Sequence, residues 1–121
     1  MENRVEDNRA KGNRGESLAC DYLSKLGYNI IKRNFYFGKH GEIDIIAEDG
    51  LYLVFIEVKA RYSDEFGDPL LSITPRKQRS LRRAAEGYLY VNKITDKDCR
   101  FDVIIVRFDK NNAIEHIKAA F

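Results

Sequence analysis

The sequence has no tryptophan, one methionine, two prolines, two histidines and two cysteines in 121 residues. Cys20 and Cys99 stand far apart with no CxxC spacing, which excludes a thiolate zinc site and a disulfide-stapled scaffold. No apolar run approaches the ~20 residues of a membrane span. The opening segment, MENRVEDNRAKGNRGE, lacks the apolar stretch of a signal peptide. These absences predict a reduced, soluble, cytoplasmic protein with no membrane partner. Charge of one sign is not in excess either: 21 Lys+Arg against 19 Asp+Glu leave a net +2, so a bulk polycation is excluded. There are no repeats, low-complexity tracts or interior linkers. With 44% hydrophobic residues, 121 residues suit one domain around one core. Its expected extent is 9–121, with 1–8 disordered.

What is present is a charge pattern. Residues 1–41 carry eight basic and five acidic side chains, and 42–75 carry two and eight. Residues 76–100 return to eight basic and three acidic. An acidic middle between basic flanks suits a polyanion gripped at its sides while carboxylates hold cations; ordinary solvated charge gives the same count.

Periodicity predicts a helix over about 8–26, with Leu18, Ala19, Tyr22, Leu23 and Leu26 as its apolar stripe and Gly27 as its stop. YNIIKRNFYF (28–37) reads as a strand. EIDIIAE (42–48) and LYLVFIEVKA (51–60) flank Asp49-Gly50, a hairpin signal. A polar loop over 61–74 leads to Thr74-Pro75, an N-cap followed by a first-turn proline, and a second helix to about Val91. FDVIIVRF (101–108) and AIEHI (113–117) complete an α-β-β-β-α-β-β order. The fold class is α/β, a small mixed sheet flanked by helices, its hairpin strands apolar on both faces as sheet-centre strands are.

If Asp49-Gly50 is a two-residue turn, hairpin partners have numbers summing to 99. Asp44, Glu57 and Lys59 then share one face of the sheet, with Asp44 diagonal to Glu57 and Glu42 opposite Glu57. Two carboxylates and a lysine at the end of an apolar face fit either a salt-bridge cluster or a site for Mg2+ or Mn2+. Such a cation polarises a phosphoryl oxygen and activates water, while Lys59 steadies anionic charge.

GEIDII (41–46) and VFIEVKAR (54–61) resemble the metal-site signature of the PD-(D/E)XK, or restriction-endonuclease-like, superfamily, whose core has the same αβββαβ order. More narrowly, RGE (14–16), FGDP (66–69), ITPRKQRSLRRAAEGYL (73–89), RFDVI (100–104) and the terminal AF resemble the small YraN-type family of bacterial proteins. The resemblance implies Asp44 and Glu57 as metal ligands, the Val58 carbonyl as a further ligand and Lys59 as the catalytic lysine. Ile43 stands where the motif's name has proline. In the junction-resolving branch a first-helix glutamate joins the site, and Glu16 is the match here, ahead of Glu42.

RKQRSLRR (76–83) places five cations in eight residues. Arg76, Arg79 and Arg83 fall opposite the apolar stripe, and with Lys77 and Arg82 they form a candidate phosphate-binding face. Gln78, at the edge of that stripe, either orients a phosphate or water or makes a structural hydrogen bond. Arg100 and Asp102 read as a structural ion pair, and His40 and His116 as ordinary loop and edge-strand residues.

The expected function is therefore a Mg2+- or Mn2+-dependent nuclease acting on nucleic acid, with DNA favoured and a branched substrate in view. A nucleic-acid-binding module of the same fold is the rival, and an assembly partner without nucleic acid a third reading. A chain of ~14 Å radius of gyration covers little duplex, so a homodimer would suit cutting of both strands.

Overall fold

The computed structural model describes residues 8–121. The disorder expected for 1–8 falls on residues outside this range, apart from Asn8, which opens the first helix. In order, the elements are α1 (Asn8–Lys25), β1 (Asn29–Tyr36), β2 (Glu42–Asp49), β3 (Tyr52–Arg61), α2 (Pro75–Val91), β4 (Asp98–Arg107) and β5 (Ala113–Ile117). Short 3-10 turns at Pro69–Ser72 and Phe108–Lys110 interrupt the connections. The strands form one five-stranded sheet in the order β1-β2-β3-β4-β5. Only the β3–β4 pair is parallel, and α2 lies in its crossover. The fold is the α/β arrangement expected from the sequence.

Each helix covers one face of the sheet, which is why the central strands are apolar on both sides. Ala19 and Leu23 of α1, four residues apart and fully buried, pack on Ile45, Ala47, Val54, Ile56, Ile104 and Val106. Leu81, Ala84, Ala85 and Tyr88 of α2 pack on Ile43, Ile46, Leu53 and Phe55. Burial of each such aliphatic or aromatic side chain is worth roughly 1.5–3 kcal/mol. Leu26, expected in the α1 stripe, is instead 53% exposed. The helix ends at Lys25 and Gly27, at φ 93°, reverses the chain so that the Tyr28 N–H donates to the Leu23 carbonyl. The α2 start is as expected, with the Thr74 hydroxyl accepting from the Lys77 N–H at 3.2 Å ahead of Pro75.

The hairpin register corrects the sequence expectation. Asp49 pairs with Tyr52 and Ile46 with Phe55, so partner numbers sum to 101 and the loop is Gly50-Leu51 rather than Asp49-Gly50. Gly50, at φ 58°, takes the first loop position, where a type II′ turn needs glycine. Asp49 stays in the ladder, where its carboxylate accepts from the Arg100 guanidinium at 3.1 Å. That contact reaches across to β4 and is invisible to a local turn rule.

Candidate metal centre

Continued by one step, the true register would set Asp44 opposite Glu57, but the β2–β3 ladder stops at Ile45–Ile56. The chain departs from strict alternation at the same point. Ile45 packs in the α1 layer and Ile43 in the α2 layer, although they are two residues apart. On the neighbouring strand Asn34, between the paired residues Arg33 and Phe35, takes a left-handed φ of 54°. The Asp44 carboxylate is thereby free to accept the Val58 N–H at 2.8 Å. Side-chain oxygens of Glu16, Glu42 and Asp44 lie within 4.8 Å of one another. Glu16 comes from α1, brought close because the glycine at 15 lets the helix approach β3: a Cβ there would stand 3.4 Å from the Ala60 Cβ.

Glu57 lies beside this cluster, 7% exposed, with its Oε1 3.6 Å from the Lys59 ammonium. Its Oε2 is buried with no hydrogen-bond partner, and so is the Oε2 of Glu16. The nearest cation to the latter is Arg33, at 3.6 Å. A buried carboxylate oxygen normally finds a hydrogen-bond donor, so two that lack one, beside a third and fourth carboxylate, mark an electron-rich, all-oxygen donor set. The set meets the hard-cation preference for carboxylate oxygen. The structure thus groups Asp44 with Glu16 and Glu42, a group that does not include Glu57; the Glu57–Lys59 pair lies beside it, and Val58 meets Asp44 through its N–H.

These side chains all fall within a region that matches a known family. Residues 15–106 match the model described as "Uncharacterised protein family UPF0102". The chain belongs to the UPF0102 family. A UPF0102 protein of Chlorobium chlorochromatii (strain CaD3) is 48% identical over 117 residues, covering 91% of this chain and 89% of that protein. Another, from Geotalea daltonii, is 47% identical over 117 residues, with 95% and 91% covered. A third, from Chlorobaculum parvum, is 49% identical over 117 residues, with 91% and 90% covered.

The electrostatics of the UPF0102 cluster follow from crowding acids out of water. Burial, and then the Glu57 charge, push the Asp44 carboxyl up to about 8, against the pull of the Val58 N–H. Burial likewise raises Glu57, with Lys77 and Lys59 pulling the other way. Glu16 is raised by burial and by Glu42, and Arg33 opposes. Without a cation the group therefore holds protons that a single carboxylate would have released.

On α2 the basic residues divide. Arg76, Arg79 and Arg83 join Lys39, His40 and Ser80 around a cleft of about 330 Å³ whose lining includes no acid. The Ser80 hydroxyl donates to the His40 carbonyl and ties the β1–β2 turn to the helix. Lys77 acts on Glu57. The Gln78 side chain donates to the Ile73 carbonyl at 3.2 Å, the structural alternative raised for it. The Arg82 guanidinium lies over the rings of Phe101 and Phe121, at 4.9 and 5.5 Å. From sequence, Lys39 has no role and His40 reads as an ordinary loop residue, since only the tertiary fold puts their turn against α2. Among the described residues no helix is long and apolar enough to cross a membrane.

Proposed function

We propose that this UPF0102 protein is a divalent-cation-dependent nuclease of the PD-(D/E)XK superfamily, acting on DNA in the cytoplasm. The observation that carries the reading is the buried Glu57 Oε2 with no hydrogen-bond partner, beside a Glu16 oxygen whose contact is an ion pair with Arg33 at 3.6 Å and an Asp44 carboxyl pushed up to about 8. Asp44, Glu57 and the Val58 carbonyl would hold Mg2+ or Mn2+, with Glu16 and Glu42 alongside. A cation there polarises a phosphoryl oxygen and lowers the pKa of bound water. Asp44 must give up its proton to become a ligand, so the site is filled more readily as pH rises. Lys59, 3.6 Å from Glu57, brings a fixed positive charge to the negative charge that builds on the phosphate. Hydrolysis adds water across one P–O bond and leaves a phosphomonoester and a hydroxyl.

The Arg76–Arg79–Arg83 cleft supplies the grip on the sugar–phosphate backbone. Arg79→Ala should weaken duplex binding equally across sequences. It should also reduce the slope of log affinity against log salt by about 0.9, read by fluorescence anisotropy across a salt series. An unchanged slope removes this arginine from the phosphate path.

The deciding experiment is cleavage of labelled linear, flapped and four-way DNA with Mg2+ or Mn2+, alongside Glu57→Ala protein purified identically. Activity that disappears in the variant supports the nuclease reading. No cleavage by wild type, with salt-sensitive binding by both proteins, replaces it with a binding module of the same fold.

A further inference from the structure

A second recess lies on the other side of α1 from the carboxylates. We propose that this recess, between the N-terminal half of α1 and the end of β3, receives an unpaired nucleobase, so that the substrate is a strand lifted out of its duplex. The inference rests on the nucleic-acid reading above and narrows its substrate. The recess measures about 420 Å³, within the range of pockets that take small organic groups, and its lining includes Lys11, Gly12, Arg61, Tyr62 and Phe66. Single-strand sites combine such a cationic groove with aromatic rings on which bases stack.

The two aromatics have different roles. Tyr62 is held as a wall. Its ring stacks on Phe108 at 4.8 Å, the Lys11 ammonium lies 4.7 Å from its centroid, and its hydroxyl accepts from Arg14 at 3.3 Å. Phe66 is the open platform, 84% exposed and with no ring contact among the described residues. Exposed single phenylalanines are ordinary on protein surfaces; this one stands at the edge of a recess whose lining includes two cations and no carboxylate. Of the acids near it in the chain, Asp64 pairs with Arg107 at 3.0 Å and Lys110 at 3.6 Å, Asp68 accepts from the Leu70 N–H at 3.0 Å, and Glu65 is exposed and does not line the recess. Arg61 donates to the Ala60 carbonyl at 2.9 Å, while its Nε is buried with no hydrogen-bond partner.

Gly12 connects this recess to the metal centre. It also lines a recess, again about 420 Å³, that includes Glu16 and Glu42. One turn of α1, about 6 Å, separates Gly12 from Glu16. A Cβ at Gly12 would meet nothing within 4 Å, so internal packing does not demand the glycine. It leaves the helix surface low where a strand would cross from the aromatic recess to the carboxylates.

The test measures binding without divalent cations, so that cleavage plays no part. The probes are a blunt DNA duplex and the same duplex with a single-stranded arm carrying 2-aminopurine. Wild type should prefer the armed duplex and change the 2-aminopurine fluorescence. Phe66→Ala, a surface change in a loop, should weaken the armed duplex by about 5- to 150-fold and leave the blunt one unchanged, and Phe66→Trp should restore the preference. Equal affinity of wild type and Phe66→Ala for the armed duplex overturns the proposal. Phe66-dependent binding with no cleavage under any cation upholds the recess while the nuclease reading fails. No binding of either probe overturns the recess, and the cleavage assay then decides the nuclease reading separately.

Discussion

Asp44→Asn should abolish the response to divalent cations and lower cleavage by on the order of 10²–10⁴-fold, while making the metal-free fold more stable. The two effects share a cause. The folded carboxyl is pushed up to about 8 from an ordinary 3.8, first by burial and then by Glu57. Between those values the native state binds more protons than the unfolded chain, so stability falls as pH rises through that window. Glu57 and Glu16, also raised by burial, act in the same direction. Asparagine removes the charge but keeps an oxygen to accept the Val58 N–H, which stands 2.8 Å from Asp44. Discounted for the part of Asp44 that water still reaches, the relief is on the order of 1–3 kcal/mol at pH 8. Thermal melts at pH 5 and pH 8, with and without Mn2+, check this. Wild type should lose stability at the higher pH and recover it with Mn2+; the variant should lose less, the remainder coming from Glu57 and Glu16, and should not respond to Mn2+. A variant that still responds to Mn2+ removes Asp44 from the site, and one that melts no higher at pH 8 removes the argument from charge crowding.

How much of this was legible in the sequence depends on how local each determinant is. Thr74-Pro75 starts α2, and the spacing of Ala19 and Leu23 marks the buried side of α1, because caps and helical period are written within a few residues. The acid–acid–lysine set was legible as well, since strand alternation alone puts Glu57 and Lys59 on one face. The register was not. Asp49-Gly50 and Gly50-Leu51 are equally short loops, and what holds Asp49 in the ladder is Arg100, fifty-one positions away. The place of Glu42 depended on that register, on the docking of α1 and on the break in alternation at Asp44. No periodicity rule foresees an asparagine at φ 54° on the adjacent strand. His116 shows the same limit most clearly, for an edge-strand histidine in the sequence proves to be a buried member of a polar network.

That network carries the largest expected loss of stability. Asp102 is fully buried and accepts from Arg100 Nε at 2.9 Å and from the Ala119 N–H at 3.0 Å, with His116 Nε2 2.8 Å away. Arg100 reaches on to Asp49 at 3.1 Å and to the Tyr28 hydroxyl at 2.8 Å, and His116 Nδ1 lies 3.2 Å from the Tyr22 hydroxyl. One carboxylate therefore joins β4 to β5, the C-terminal tail, the hairpin and α1. Burial alone would raise its pKa, yet the hydrogen bonds from His116, Arg100 and Ala119 outweigh burial and hold it below the ordinary value. The sign is opposite to that of Asp44: this stability is present at neutral pH and is lost as pH falls through the lowered value. Asp102→Ala takes one of two carboxylates from the half-buried Arg100 guanidinium and leaves the His116 imidazole and the Ala119 N–H without their acceptor, which should cost ~3–5 kcal/mol. At about 3–5 °C per kcal/mol for a chain of this size, the melting temperature should drop by about 10–20 °C. A Tyr–His–Asp sequence of contacts resembles a proton relay, but with Asp102 at 0% and the His116 side chain at 4% exposure no substrate reaches it. Cleavage measured well below the variant's melting temperature should therefore match wild type per folded molecule. A variant that melts like wild type would show that the network does not hold the sheet together, and one that stays folded and loses cleavage would show that it serves the chemistry.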